Sequence, residues 1–295
     1  MEEDSEATKV GSMRTQMAEK PKFSILMPVR NEGVNLKMTL KIINAVMEVP
    51  YEVLVVYDTP DDDSIPVAEA MQKEYPAVKP LHNTLGRGVI NAVRAGVAAA
   101  KGEYVLILSA DDMGAIFGIN LMLKEIEKGY DLVSATRYAK GGKVVGGAVT
   151  GRLLSRIANK LFILLAGSAL TDSTFGIKMF RREVFDKIKF ECKPVGWAFA
   201  FEMAIKAQLL GFKTSEVPIV SINRFYGGTS TFKLNAWISE YIRWFLWGLL
   251  NVRFKRKKAD KINMTENAME KPRQKLHSQN EKEKIPHNRR ERIHW

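Results

Sequence analysis

Carboxylates gather at the ends of two short apolar runs in this 295-residue chain. Tyr51 to Val56 is followed by Asp58, Asp61, Asp62 and Asp63, and Tyr104 to Leu108 by Ser109, Ala110, Asp111 and Asp112. Acids grouped in this way suit a hard divalent cation held on oxygen ligands beside a polyanion.

The elements that would position these residues are legible in outline. The two acid-terminated runs are rich in Val, Ile and Leu and flanked by helix-like segments, which reads as buried parallel strands. Ligands in such sheets bind beyond the carboxyl ends of the strands, where Asp58, Asp111 and Asp112 fall. Further strands are expected at Phe23–Val29, Val78–Leu81, Asp131–Ala135 and Glu216–Val220. Helices are expected near Val34–Met47, Pro66–Glu74, Val89–Ala100, Ile116–Lys128, Leu153–Leu165 and Phe199–Leu210. Strand and helix alternate, so an α/β fold with a mostly parallel sheet follows. Residues 136–233 are less regular, and Asp61, Asp62 and Asp63 read as a solvated loop leading into a helix N-terminus.

Composition narrows the class. The chain is 46% hydrophobic with a net charge of +12, enough apolar residues for one large domain. Its one cysteine, Cys192, excludes an internal disulfide and fits a reducing compartment. Residues 1–20 are acidic and polar, without the apolar run of a secretion signal, and read as disordered. Residues 253–295 hold 14 basic and six acidic side chains, so much of the basicity reads as a solvated disordered tail. Phe254 and Trp295 are the only aromatics there, too few for base stacking, and no nucleic-acid partner is expected.

Asn235–Val252 stands apart. It is apolar nearly all round, carries Trp237, Trp244 and Trp247, and runs into Arg253, Lys255, Arg256, Lys257 and Lys258. Glu240 and Arg243 interrupt it, so the uncharged stretch falls short of the roughly 20 residues that span a bilayer. Tryptophans beside a basic cluster suit a helix lying in a membrane interface. Packing on the core, or against a second copy in a homo-oligomer, fits the same pattern. Leu153–Leu165, with Arg152, Arg156 and Lys160 one turn apart, has the same two readings.

Taken in order, the motifs resemble the inverting family 2 glycosyltransferases, in their dolichyl-phosphate mannosyltransferase-like branch. Phe23-Ser-Ile-Leu-Met-Pro-Val-Arg-Asn-Glu32 resembles the opening strand and its Pro-x-x-Asn-Glu turn. Leu85-Gly-Arg-Gly88 with Gly96, Ser109-Ala-Asp-Asp112, and Thr136-Arg-Tyr138 with Gly141-Gly142 resemble the motifs that follow. Arg152-Leu-Leu-Ser-Arg-Ile-Ala-Asn159, Asp172-Ser-Thr-Phe-Gly-Ile-Lys178, and Glu216-Val-Pro-Ile219 with Arg224 and Gly227 to Lys233 complete the series. Lys178 stands where that signature has Arg, and Ser109 where the family has the first Asp of Asp-x-Asp.

The resemblance implies a GT-A type, Rossmann-like nucleotide-sugar domain over residues 21–233, an amphipathic helix over 234–252 and the basic tail. It implies nucleotide contacts at Pro28, Arg30, Glu32, Asp58, Gly88, Ser109 and Ala110. A Mg²⁺ or Mn²⁺ ion would lie on Asp111 and Asp112. Arg137, Arg152 and Arg224 come from distant segments, and each matches a position of that family; they would serve the leaving diphosphate and the acceptor, since forked guanidinium groups suit phosphate oxygens. Asp172 and Glu202 would be the candidates for a general base toward a hydroxyl acceptor, or acids that orient those arginines. The implied reaction moves a sugar from GDP-mannose or a UDP-sugar to polyprenyl phosphate at the cytoplasmic membrane face. A hydroxyl acceptor remains an alternative, and so does a decayed, membrane-bound scaffold, the latter because of Ser109. The Gly86/Gly88 pair lacks the third glycine of a dinucleotide fingerprint, so a dehydrogenase is not expected.

Overall fold

The computed structural model of the chain describes residues 20–147, 149–194, 196–222 and 237–252. All of them lie in one compact unit that ends at Val252. Arg224, residues 1–19, the segment 223–236 with Gly227 to Lys233, and the tail 253–295 lie outside the described residues.

The strands are β1 (Phe23–Pro28), β2 (Tyr51–Tyr57), β3 (Val78–His82), β4 (Tyr104–Ile107), β5 (Leu132–Thr136), β6 (Lys143–Val145), β7 (Lys178–Arg181), β8 (Thr214–Pro218) and β9 (Val220–Ile222). The helices are α1 (Gly33–Val46), α2 (Ser64–Glu74), α3 (Val89–Ala99), α4 (Ile119–Glu127), α5 (Val149–Ala166), α6 (Arg182–Lys187), α7 (Ala198–Leu209) and α8 (237–252). A 3-10 turn, Met113–Gly118, precedes α4.

Seven strands form one sheet in the order β3-β2-β1-β4-β7-β5-β8. β1 pairs in parallel with β2 on one side and β4 on the other, so the strand order reverses at β1. That reversal opens a crevice at the carboxyl ends, where α/β sheets take ligands. β7 is antiparallel to both neighbours, β4 and β5. It therefore enters from the carboxyl edge of the sheet and brings the segment before it, 172–177, to the same crevice. β6 and β9 form a separate parallel pair.

Both sheet faces are covered, as continuous apolar strands require. Ile25, Val53 and Leu106 pack under Leu36, Leu40 and Ile43 of α1 and Ile119 and Met122 of α4. On the other face, Leu26, Val105 and Phe180 pack with Val93 and Val97 of α3 and Phe199 and Met203 of α7. A third cluster joins Phe162 of α5, Phe201 and Ile205 of α7, and Trp244 and Val252 of α8. α7 is buried on all sides from Ala198 to Ala207, as expected of a helix with little polar surface.

The expected α/β sheet is present, with three departures. β6, β7 and α6 were not anticipated, the strand expected over Glu216–Val220 is divided into β8 and β9, and the helix expected at Ile116 starts as the 3-10 turn.

Candidate active site

The first wall of the crevice is the turn after β1. The Asn31 N–H donates to Asp62 Oδ1 at 3.1 Å, Glu32 N–H to Ser64 Oγ at 2.9 Å, and Gly33 N–H to Asp63 Oδ1 at 2.9 Å. Asp62 is 5% exposed. Asp61 and Asp63 are exposed at the start of α2, as expected, whereas Asp62 is buried, and Asp62 and Asp63 together fasten the turn 31–33. Pro28 is half-buried at the strand end, Arg30 is exposed, and half-buried Glu32 accepts from Asn35 Nδ2 at 3.0 Å.

Asp58, just past β2, accepts from Asn83 Nδ2 at 2.7 Å and from the Gly88 N–H at 2.9 Å. Asn83 Nδ2 also donates to the Gly86 carbonyl at 2.7 Å, which shapes the 83–88 loop under Asp58. Gly88 holds φ of 117°, and a Cβ there would run into the Pro194 carbonyl. Only glycine fits both demands. Tyr57 and His82 stack at 5.2 Å at the ends of their paired strands, next to Asp58.

The segment after β4 forms the crevice floor. Ala110 is buried, and its carbonyl accepts from the buried Thr39 hydroxyl of α1 at 2.7 Å. Ser109 Oγ donates to Asp111 Oδ1 in a very short bond, and both residues are half-buried. Asp112 turns the other way. It is 2% exposed, accepting from Ser221 Oγ at 2.5 Å and from the Ile222 N–H at 2.9 Å. Burial pushes its carboxyl above the ordinary range and Asp111 adds to that, against the pull of the Ser221 and Ile222 bonds. The expectation of Asp112 as a metal ligand is therefore corrected. Its two oxygens anchor β9 instead.

Arg137, immediately after β5, is gripped by Asp172. Its Nε donates to Asp172 Oδ2 at 2.7 Å and a terminal nitrogen to Oδ1 at 3.0 Å. This is the two-pronged geometry that fixes a guanidinium plane. The ring of Phe175 lies 4.4 Å from the guanidinium carbon and that of Tyr138 lies 5.0 Å away. Burial works against the Arg137 charge, but Asp172 outweighs it and holds the group above the usual arginine range. Asp172 is completely buried, whereas the Arg137 side chain keeps 17% of its surface open. Asn159 of α5 adds a bond from Nδ2 to Asp172 Oδ1 at 3.3 Å. Asp172 thus fixes the plane of Arg137.

Arg152, in the first turn of α5, reaches the Val144 and Gly146 carbonyls at 3.5 and 3.4 Å. Glu202 is not part of this group. It is fully buried in α7, accepts from the Glu191 and Cys192 N–H groups at 2.7 and 2.9 Å, and pairs with Lys206 at 2.6 Å. Its expected catalytic role is corrected to a structural one, since these partners belong to its own helix and to the loop that it fastens there.

A divalent ion fits the donor chemistry in a limited way. Among the described residues no group of three or more His, Cys, Asp or Glu side chains is placed to hold a metal. What stands ready is the half-buried Asp111 with Ser109 beside it, oxygen donors of the kind that Mg²⁺ and Mn²⁺ take. Mg²⁺ in particular is commonly held by one or two carboxylates, with substrate phosphates and water completing its shell.

Two site-forming residues escaped the sequence reading. Glu216 of β8 accepts from the Thr171 N–H at 2.5 Å and the Asp172 N–H at 3.2 Å, so it holds the backbone of the segment that carries Asp172. Lys178 opens β7 with no exposed surface and donates to Ser134 Oγ at 2.9 Å. The one signal for it was its place at the end of the Asp172–Lys178 motif.

Comparison with known proteins adds to this geometry. The pattern of Glycosyl transferase family 2 matches residues 24–189. The dolichol-phosphate mannosyltransferase of Pyrococcus furiosus is 29% identical over 235 residues, 76% of this chain and 64% of that protein. The polyprenol monophosphomannose synthase of Mycolicibacterium smegmatis is 30% identical over 209 residues, 69% of this chain and 78% of that one. Glycosyltransferase AglD of Haloferax volcanii is 26% identical, and the match spans 32% of its length. The chain thus spans less than two thirds of two of these relatives. Among solved structures, glucosyl-3-phosphoglycerate synthase of Mycobacterium tuberculosis, in complex with Mn²⁺, uridine diphosphate and glucosyl-3-phosphoglycerate, superimposes with a TM-score of 0.60. Its identity is 16%, over 81% of this chain and 84% of that one, which speaks for the fold alone.

Proposed function

Because the chain belongs to glycosyl transferase family 2 and its polyprenyl-phosphate mannosyltransferase-like branch, we propose that it transfers a sugar from a nucleotide-diphospho-sugar to a polyprenyl phosphate at a membrane surface. The observation that carries this reading is the Arg137–Asp172 pair. An acceptor hydroxyl would need a base, and the two carboxylates expected for that role, Asp172 and Glu202, are fully buried and engaged by cations. A phosphate acceptor needs none, being anionic already at neutral pH, and its requirement is a cation held in place.

In this reading Asp58, with the Asn83 and Gly88 loop, receives the nucleoside, and the turn 28–32 lines the same end of the crevice. A divalent ion on Asp111 would offset charge on the leaving diphosphate. Arg137, with Arg152 and Arg224, holds the acceptor phosphate so that one of its oxygens attacks the anomeric carbon opposite the leaving oxygen. The new sugar–phosphate bond forms as the bond to the nucleotide diphosphate breaks, and the configuration inverts.

The lipid setting has its own support. α5 leaves Leu153, Leu154, Ile157, Leu161, Leu164 and Leu165 exposed, and α8 leaves Ile238, Ile242, Leu246 and Leu250 exposed. The α8 residues recur every fourth position and so share one face. No helix among the described residues is long and apolar enough to cross a membrane. These faces suit lying on one instead, in this proposal at its cytoplasmic side.

The test pairs UDP-sugars and GDP-mannose with polyprenyl phosphate or simple alcohols, with and without Mg²⁺ or Mn²⁺. Product on the phosphate acceptor alone supports the reading. Product on alcohols alone would overturn it in favour of a hydroxyl acceptor.

A further inference from the structure

Lys178 is the most costly residue to explain by packing alone. Lysine is almost never completely buried unless paired, and a methionine of similar volume would fill the same space without a desolvation cost. Here the side chain has no exposed surface. It sits where β7 lies between β4 and β5, opposite Ile107 on one side and Ser134 on the other. Its hydrogen bond goes to the neutral Ser134 hydroxyl at 2.9 Å. Ser134 is in register with Lys178 on one side and with Glu216 of β8 on the other, so the three share a sheet face, and the charges of Asp172, Glu216 and Arg137 all act on the ammonium. Asp172 and Glu216 build the seat of Arg137: the first grips the guanidinium, and the second holds the Thr171 and Asp172 N–H groups.

Buried carboxylates behind one arginine weigh against its field: Asp172 most directly, Glu216 behind it with burial pushing its carboxyl up, and Asp112 acting on the same guanidinium. An anion approaching the open side of Arg137 would then meet a weakened cation. We propose that Lys178 is a positioning residue for the phosphate acceptor, its buried ammonium balancing Asp172 and Glu216 from behind so that the field at the open side of Arg137 stays positive for the ligand. The inference rests on the phosphate-acceptor reading of this site. Burial drives the Lys178 ammonium down to about 8, with Asp172 and Glu216 resisting the fall and Arg137 adding to it. Loss of that proton on the alkaline side would remove the balance.

The experiment compares the full-length protein with its Lys178→Arg and Lys178→Met variants. kcat and the KM for polyprenyl phosphate are measured at saturating donor from about pH 7 to about pH 9.5, where the acceptor phosphate, with a second pKa of about 6, keeps its charge. In the unaltered protein the acceptor KM is expected to rise roughly ten-fold through the Lys178 titration, with kcat little changed. Lys178→Arg, whose charge is fixed, should show a flat KM. Lys178→Met should start at the high value. A KM profile in Lys178→Arg that follows the unaltered protein overturns the proposal, as does a Lys178→Met KM equal to the unaltered one at neutral pH. If the methionine variant does not fold, the arginine contrast alone decides.

Should the unaltered protein fail to use polyprenyl phosphate at all, the acceptor reading falls separately. The same comparison is then made on the binding of sulfate, an anion of constant charge, by calorimetry. Alkaline loss of sulfate affinity that Lys178→Arg abolishes supports the balancing role. No sulfate binding, or a loss shared by both proteins, ends it.

Discussion

At the scale of single residues, the proposed cation would depend on the pair Ser109 and Asp111. Asp112 is committed to holding β9, whereas Asp111 stays half-buried at the crevice floor, where Ser109 donates to it. Asp111→Asn should lower kcat about 100-fold or more, the scale of losing one oriented electrostatic contact in a transition state. Its unfolding free energy should stay within about 0.5 kcal/mol of the original, since the side chain is half-buried and outside the core. Ser109→Asp, which adds a second carboxylate, should lower the Mn²⁺ concentration needed for half-maximal activity. Metal titrations of initial rate check both. The strand-end acids were legible because buried parallel strands leave a plain apolar pattern, and the residue after such a strand falls in the crevice whatever the loop does. The opposite orientations of Asp111 and Asp112 were not legible. They depend on Ser221 and Ile222, whose separations from Asp112 along the chain are 109 and 110 positions.

At the scale of elements, the 83–88 loop and the two outer helices carry distinct expectations. Gly88→Ala forces a side chain into a left-handed backbone position and onto the Pro194 carbonyl. It should cost about 1–3 kcal/mol of stability in a denaturant titration. Nucleotide affinity should fall with it, because the Gly88 N–H and Asn83 together orient Asp58. On α5 and α8, replacing Ile157, Leu164, Ile242 and Leu246 by Ser removes side chains that are 47%, 79%, 51% and 54% exposed. Stability should hardly change, whereas co-sedimentation with anionic vesicles should drop at least about ten-fold, each leucine or isoleucine being worth roughly 1.5–3 kcal/mol on full burial. Turnover of a short, water-soluble polyprenyl phosphate should persist. The sequence showed these helices clearly, since both have a strong apolar pattern. It did not show β7, whose four residues, Lys178–Arg181, begin and end in charge and carry no strand signal of their own. β7 is made a strand by the open edges of β4 and β5.

At the scale of the whole molecule, α7 ties the sheet to α8 through buried charge. Lys206 pairs with Glu202 at 2.6 Å and Glu191 at 2.7 Å and lies 5.1 Å from the Trp244 ring. Glu240 of α8 accepts from the Lys193 N–H at 3.1 Å and from Trp244 Nε1 at 3.1 Å. Glu202→Gln should therefore lower stability by about 1–3 kcal/mol, the cost of leaving buried donors poorly satisfied. Activity per folded molecule, measured below the melting temperature, should hold. A catalytic base would show the reverse. Sequence alone could not separate the two roles, because a carboxylate in an apolar helix looks the same whether it faces a substrate or a buried lysine.

The seat of β7 has a consequence for how the chain must be made. β4 ends at Ile107 and β5 at Thr136, yet the strand that joins them begins at Lys178, and β8, which completes β5, begins at Thr214. A ribosome delivers residues at roughly 5–20 per second. β4 therefore waits several seconds with an open, apolar edge before its partner emerges, and β5 waits longer still for its second neighbour. Unpaired edges of this kind invite pairing with another nascent chain. The segment that places Asp172 beside Arg137 also leads into the strand that closes the sheet, so a chain interrupted before it has neither the Arg137–Asp172 pair nor a finished core.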